Sequence, residues 1–377
     1  MSSEIHIPGS ILVGLTVLQL AVAVHIALVS ITLGVGVVTA YYRMLAVAKS
    51  DPWAEVFARR VFRAMVVTEL FSGVWGTIIT VVLAGFFPTL VALATNVLFT
   101  PIAIAIAAIM IRIPSIAIFW YTWGRIEPRK HAILGWVMAI SGFGVPLGFR
   151  TIFAEITSPH AVALYLGGSS VGSWAAFGST IYWALLLHTV FAVLSIGGFV
   201  VASLEAFIGD VRGARIGVLV GTVFLVLQLV AGPLYWALLS RYAPLIHNAI
   251  TFGSFQPAFA LKILLVLTLI ALSASALRGL VLIKSNVIPR STLLLGPTAL
   301  LTAFLGEILN DSSRYPYMVT LNSEGLPPTL FANLYIDIPL PAVYIIVAFL
   351  LFTVGVYALA FYYAIIKAYV GVIPEET

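Results

Sequence analysis

The chain has 377 residues, of which 62% are hydrophobic and 9% charged, and that balance excludes the two or three soluble domains its length would otherwise suggest. Nineteen Lys and Arg against fourteen Asp and Glu give a formal charge of +5, but the basic residues are scattered over short loops instead of clustered, which argues against nucleic-acid binding. Cysteine is absent, which removes disulfides, thiolate metal sites and iron–sulfur clusters, so redox chemistry here requires a bound cofactor.

The first ten residues, MSSEIHIPGS, contain no basic run, and the apolar stretch after them is too long for a signal-peptide core, so no cleaved leader is expected. Apolar runs bounded by Pro, Gly and charge clusters then fall near 10–42, 58–87, 97–122, 132–157, 178–208, 215–240, 258–284, 292–310 and 339–368. They predict an all-α polytopic membrane protein of nine helices, a single membrane-embedded domain over 1–377. Nine spans of about 20 to 25 residues leave only short connections, so function sits inside the bilayer. Several runs exceed that length, which predicts tilt or protrusion.

Loops after the odd-numbered runs hold Arg43, Lys49, Arg59, Arg60, Arg63, Arg125, Arg129, Lys130, Arg212, Arg215, Arg278, Lys284 and Arg290, and Lys367 closes the ninth run. The opposite loops hold only Arg241 and Arg314, while Arg112, Arg150 and Lys262 fall within or at the ends of runs. The positive-inside rule then puts the N-terminus outside and the C-terminus inside. The connection 311–338, Pro-containing and net acidic, fits translocation to the outside.

An ionisable side chain at mid-membrane costs about 2.5 to 3.5 kcal/mol even on the lenient insertion scale. His25, Glu69, Arg112, His188, Lys262 and Glu307 therefore each need a partner, a cofactor or water. His25 lies about fifteen residues into the first run, roughly 20 Å along the axis and near the middle of the bilayer. A neutral imidazole there suits a heme-iron ligand, a proton relay, or a hydrogen bond to an adjacent helix. His188, about ten residues into the fifth run, lies nearer the outside. Gly197 and Gly198 on the same run permit close approach of a flat macrocycle or, more commonly, of another helix. Glu69 and Arg112 come out near mid-depth and can form one buried ion pair, more readily structural than catalytic; Arg112 beside a heme propionate is the alternative. Lys262 and Glu307 fall near the outer ends of their runs, where snorkelling makes their cost small.

These features together resemble subunit I of cytochrome bd-type quinol oxidases, over essentially all nine runs. The resemblance implies an N-out, nine-helix subunit that carries two b-type hemes and one d-type heme and passes electrons from a membrane quinol to oxygen. HIALVSITLG, His25 to Gly34, is similar to the family's His-x-x-x-Val-Pro-x-Thr-Leu-Gly run with Ser30 in place of the proline, which implies His25 as ligand of a high-spin heme. LLHTVFAVLSIGGFVVA contains His188-Thr189, which resembles the family's His-Thr pair and implies His188 as ligand of the low-spin heme that takes the quinol's electrons. WGRIEPRKH, Trp123 to His131, is similar to the inner loop after the third helix, and SRYPY, Ser313 to Tyr317, with Arg314 inside it, to the family's Gly-Arg-Gln-Pro-Trp.

Departures from the pattern are equally specific. In FALKILLV the family's axial methionine is replaced by Leu264, and its helix-eight glutamate falls on Phe304, with Glu307 one turn away as the nearest carboxylate. The helix-three glutamates give way to IAIAIAAIMI ending in Arg112, and the Glu-Phe-Gln-Phe-Gly pattern is missing around VTELFSGVWGT. The quinol-binding loop shrinks to 241–257, with Gln256-Pro257 as its remnant.

The resemblance with these losses implies a diverged, duplicated subunit I in a prokaryotic plasma membrane, paired with a complete subunit I-like chain in a pseudo-symmetric heterodimer. It would serve a complex that oxidises membrane quinol and would hold one or two hemes of b or d type on His25 and His188, without full activity alone. Two other readings stay open: a heme-free structural or assembly subunit, and a secondary transporter that couples through Glu69, Arg112 and His25. The third lacks the paired broken half-helices usual in transporters.

Overall fold

A computed structural model of the chain describes residues 9–169, 172, 174–314 and 338–363. Among these the elements are all helical: α1 (Gly9–Lys49), α2 (Pro52–Phe86), α3 (Pro88–Val97), α4 (Phe99–Tyr121), α5 (Pro128–Thr157) and α6 (Ala161–Leu166). A 3-10 turn at Ala175–Gly178 precedes α7 (Thr180–Phe207), α8 (Val211–Tyr242), α9 (Pro244–Thr251) and α10 (Gln256–Leu277), and α11 (Arg290–Ser312) and α12 (Leu340–Phe361) complete the order. A π-helical turn, Arg278–Leu282, extends α10.

Each predicted run coincides with one long helix, and eight of these are long and apolar enough to cross a membrane. The ninth run is α12, whose described apolar stretch is Leu340–Phe349; the end of that run, with Lys367, lies outside the described residues, as do 315–337. The short helices α3, α6 and α9 were not expected. Pro88 and Pro244 start α3 and α9 at the first helical position, where a missing N–H costs nothing. Both lie at the end of the bundle where α1 begins, here the amino end; the other is the basic end.

Turns at the basic end are built from capping chemistry. Asp51 accepts the Ala54 N–H at 3.2 Å ahead of Pro52, which starts α2 six residues before the predicted run. Gly209 takes a left-handed φ of 82°, and Asp210 then accepts the Gly213 N–H at 2.9 Å to start α8.

The packing centre is α7, which lies against α1, α5, α8 and α11. Glycine allows this. A Cβ on Gly197 would lie 2.5 Å from the Gly34 carbonyl carbon of α1, and one on Gly198 would lie 2.7 Å from the Gly221 Cα of α8. Sub-contact distances at two consecutive glycines mean that α7 is clamped backbone to backbone on both sides, as membrane helices pack when small residues face each other. Of the two partners open to Gly197 and Gly198, the structure therefore selects helices. The main core continues from this seam through Val35, Val38, Met65, Phe119, Ile196 and Phe199.

Candidate functional site

His25 projects from α1 onto α2. Its Nδ1 lies 2.8 Å from the Ser72 carbonyl oxygen, so that nitrogen carries the proton and donates. Nε2, the remaining lone pair, has no hydrogen-bond partner among the described residues. A histidine that ligates a metal commonly has this arrangement: one ring nitrogen fixed by a carbonyl, the other free. Gly76 sits one turn beyond Ser72, and a Cβ there would lie 3.1 Å from the His25 Cε1, so the absent side chain makes space for the ring edge.

His188 projects from α7 onto α8. Gln228 Nε2 lies 2.7 Å from Nδ1 and 3.1 Å from Nε2, while Gln228 Oε1 is buried with no partner. A half-turn of the amide would let Oε1 accept the Nδ1 proton, relieving the orphaned oxygen and freeing Nε2 for a ligand. Gly232, one turn on, lies beside the ring, where a Cβ would be in ordinary contact with Cε1 and Nδ1 at 3.7 Å.

The two histidines stand at one level. His25 precedes Gly34 by nine residues and His188 precedes Gly197 by nine. Gly34 and Gly197 touch, and the helices run in the same direction, with Val29, Leu33, Val190 and Val193 in one apolar cluster beside the contact. Nine residues are two and a half turns, about 13.5 Å, so both imidazoles lie the same distance toward the amino end and on opposite sides of the seam. The expectation that His188 lies nearer the outside than His25 is thereby corrected: counting from run starts ignored how far α1 protrudes.

A polar cluster closes the amino end of this region. Arg150 of α5 pairs with Glu307 of α11 at 3.1 Å, and both are buried. Glu307 is therefore not a snorkelling carboxylate, as its place near a run end suggested, because α5 brings a cation to it. Arg314 is also buried instead of lying in an exposed loop. It donates to Thr157 Oγ1, the Asn310 carbonyl and the Tyr235 hydroxyl, each at 2.7 Å, pinning α5, α8 and α11 together. Lys262 of α10 reaches over Gly306, where its Nζ would lie 3.1 Å from an added Cβ.

Glu69 and Arg112 meet in a two-toothed ion pair, Nε to Oε1 at 2.9 Å and NH2 to Oε2 at 3.0 Å. Arg112 also donates to the Met138 carbonyl at 3.1 Å and the Thr32 carbonyl at 3.3 Å, which leaves its guanidinium committed to protein acceptors instead of a propionate. Gln256 and Pro257 open α10 as exposed residues beside α9. Leu264 is 59% exposed on the outer face of α10, and Phe304 is half-buried. The residues of SRYPY after Arg314 lie outside the described set.

Gln228, Arg150, Glu155 and Asp311 were missed as site residues. Glu155 caps α6 by accepting the N–H groups of His160, Ala161 and Val162 at 2.9 to 3.1 Å. Asp311 is fully buried beside Arg314. Gln228 was findable, since a glutamine inside an apolar run needs a partner as a charge does. No three His, Asp or Glu converge as a chelating cluster among the described residues, a demand that axial ligation of a porphyrin iron does not make.

Comparison with known proteins places this geometry. The backbone superimposes on "The structure of bd oxidase from Geobacillus thermodenitrificans" with a TM-score of 0.77, covering 95% of this chain and 98% of that one at 16% identity, a likeness of fold. No curated protein sequence matches. The profile of the cytochrome bd terminal oxidase subunit I family matches residues 16–250, well over half of the chain, and that match carries HIALVSITLG, the Glu69–Arg112 pair and His188-Thr189. An all-helical membrane bundle with those motifs on its first and fifth spans belongs to the cytochrome bd terminal oxidase subunit I family.

Proposed function

We propose that this chain is the heme-bearing but catalytically reduced subunit of a quinol-oxidising bd-type complex, with His25 and His188 each presenting Nε2 to a heme iron. The observation that carries this is the hydrogen bond from His25 Nδ1 to the Ser72 carbonyl at 2.8 Å, which leaves Nε2 without a protein partner deep in an apolar helix. A b- or d-type heme supplies reversible one-electron transfer when bound. Ser72 holds the His25 tautomer, Gly76 leaves room for its ring edge, and Gln228 selects which His188 nitrogen is free. Arg314, whose side chain donates to Thr157, the Asn310 carbonyl and Tyr235, brings a buried guanidinium to the amino end of the site.

The reduced catalytic set is part of the same proposal. Leu264 faces outward and Glu307 is held by Arg150, so neither the methionine nor the glutamate of the family has a free substitute at those positions. Electron flow to oxygen then depends on a complete subunit I-like chain, which we place beside this one as a heterodimer in a prokaryotic plasma membrane. The basic residues that the sequence gathers on and beside the odd-numbered connections, most of them in the helix ends there, argue for an N-terminus outside. The chain acts as one membrane domain over 1–377.

A reduced-minus-oxidised absorbance spectrum of the purified complex tests this. His25→Ala and His188→Ala should each remove a different heme component contributed by this chain, and Gln228→Leu should shift the midpoint potential of the His188 component while leaving that of His25 in place. Unchanged spectra in both histidine variants would leave the heme-free structural role as the better account. Co-purification with a second nine-helix chain checks the heterodimer, and full quinol oxidase activity of this chain by itself overturns it.

A further inference from the structure

At the basic end, far from the histidines, a cleft of about 80 Å³ opens between α2 and α4, lined by Arg59, Phe62, Arg63, Trp120 and Trp123. It is far below the ~300 Å³ at which small-molecule pockets begin. It therefore admits one compact polar group and no cofactor ring. Arg59 and Arg63 are four residues apart and share one face of α2. Neither makes an ion pair or a hydrogen bond with a described residue; Arg59 has only the face of Trp123, 5.9 Å away.

Nearby charges are committed elsewhere. Arg60 turns to Glu205 and Asp210. Glu55 accepts from Arg43 at 2.5 Å and from Trp123 Nε1 at 2.9 Å. Two like charges at this spacing repel unless an anion sits between them, and two guanidinium forks facing one small space match the oxygens of a phosphate.

The surroundings identify the source of that phosphate. Trp120 is 42% and Tyr121 68% exposed at the end of α4, the residue types that settle at the membrane–water boundary. Toward the bilayer centre, Ile106, Met110 and Ile113 of α4 form an exposed apolar stripe, and Leu70 of α2 is 69% exposed. Here α2 and α4 meet through side chains, Phe62 on Phe119 and Trp120 and, two turns toward the bilayer centre, Glu69 on Arg112, so the cleft ends below the arginines and apolar chain length must lie on the exposed faces of the two helices. We propose that the cleft seats the phosphate of an anionic phospholipid, with Arg59 and Arg63 on its oxygens and its acyl chains against the exposed apolar side chains of α4 and α2.

The test uses the purified complex in a neutral detergent, with phosphatidylglycerol, phosphatidylcholine of the same chain length, and inorganic phosphate as separate additions. Retained lipid is counted by native mass spectrometry, and the thermal unfolding midpoint is followed against ligand concentration. Phosphatidylglycerol should stay bound and raise the midpoint where phosphatidylcholine does not. Arg59→Gln with Arg63→Gln should weaken that effect about 25-fold, near fivefold for each arginine, whereas Arg129→Gln should leave it unchanged. Equal retention of the two lipids by the unaltered protein, or undiminished phosphatidylglycerol binding in the double variant, overturns the proposal. An equal midpoint rise with millimolar inorganic phosphate assigns the cleft to a free anion and overturns the lipid assignment. The lipid and phosphate arms use the unaltered protein, so they decide the matter even if the double variant does not fold.

Discussion

The Glu69–Arg112 pair should behave as a closed electrostatic unit whose halves are harmful alone and nearly dispensable together. Arg112 has 4% of its side chain exposed and Glu69 22%. Glu69→Leu leaves a guanidinium that cannot lose its proton, with only the Met138 and Thr32 carbonyls as acceptors. The cost should sit in the upper part of the ~3–5 kcal/mol range for breaking a buried pair. Arg112→Met leaves a carboxylate that is more exposed and can take up a proton, so its cost should lie nearer ~3 kcal/mol. With both replaced, no charge remains to be solvated, and stability should return to within ~1 kcal/mol of the starting protein or exceed it. Unfolding by heat or by dodecyl sulfate, followed by the fluorescence of the eight tryptophans, gives the four corners of the cycle. Additive losses, with the double variant as unstable as the sum of the singles, would show that the two side chains do not compensate each other and would refute the argument.

The seam between α1 and α7 makes a second prediction. Ala at Gly197 brings a Cβ to 2.5 Å from Gly34, so the helices must separate by about 1 Å, and unfolding should become easier by ~1–3 kcal/mol. Gly73→Ala on α2, where nothing lies within 4 Å, should be neutral or stabilise by up to ~1 kcal/mol, and equal effects at the two sites would contradict the seam. A third concerns Asp210. Burial pushes its carboxyl up, but the Gly213 N–H and Arg60 outweigh that and hold it below the ordinary 3.8. A folded value below the unfolded one stabilises fully above pH 3.8 and is lost as pH falls further. Unfolding midpoints of the Asp210→Asn variant between pH 6 and 3 should therefore trail the unaltered protein at the upper end and converge with it at the lower. A constant gap would exclude this linkage.

The long helices were legible because apolar runs of bilayer length admit few alternatives, and Glu69 and Arg112 on consecutive runs at similar depth pointed to each other. Contacts between distant parts of the chain were not legible. Arg150 and Glu307 are 157 residues apart, as are Arg314 and Thr157, and nothing in one sequence says which helices outside neighbouring pairs will touch. Gly34 was visible only as the last letter of a motif, whereas the structure gives its reason: α7 leaves no space there for a side chain. Depth was misjudged for His188 because run starts were taken as level, although α1 is 41 residues long and α7 only 28. The helices α3 and α9 were announced by Pro88 and Pro244, a local signal that hydropathy windows average away.

His25 and His188 lie back to back across the Gly34–Gly197 contact at matching distance from it. An electron exchanged between groups held by these two residues would thus travel sideways in the plane of the membrane. Moving one charge along the normal involves about 2.3 kcal/mol per 100 mV, whereas a lateral step does no work against that potential. Energy conservation by the complex would then have to come from where protons enter and leave.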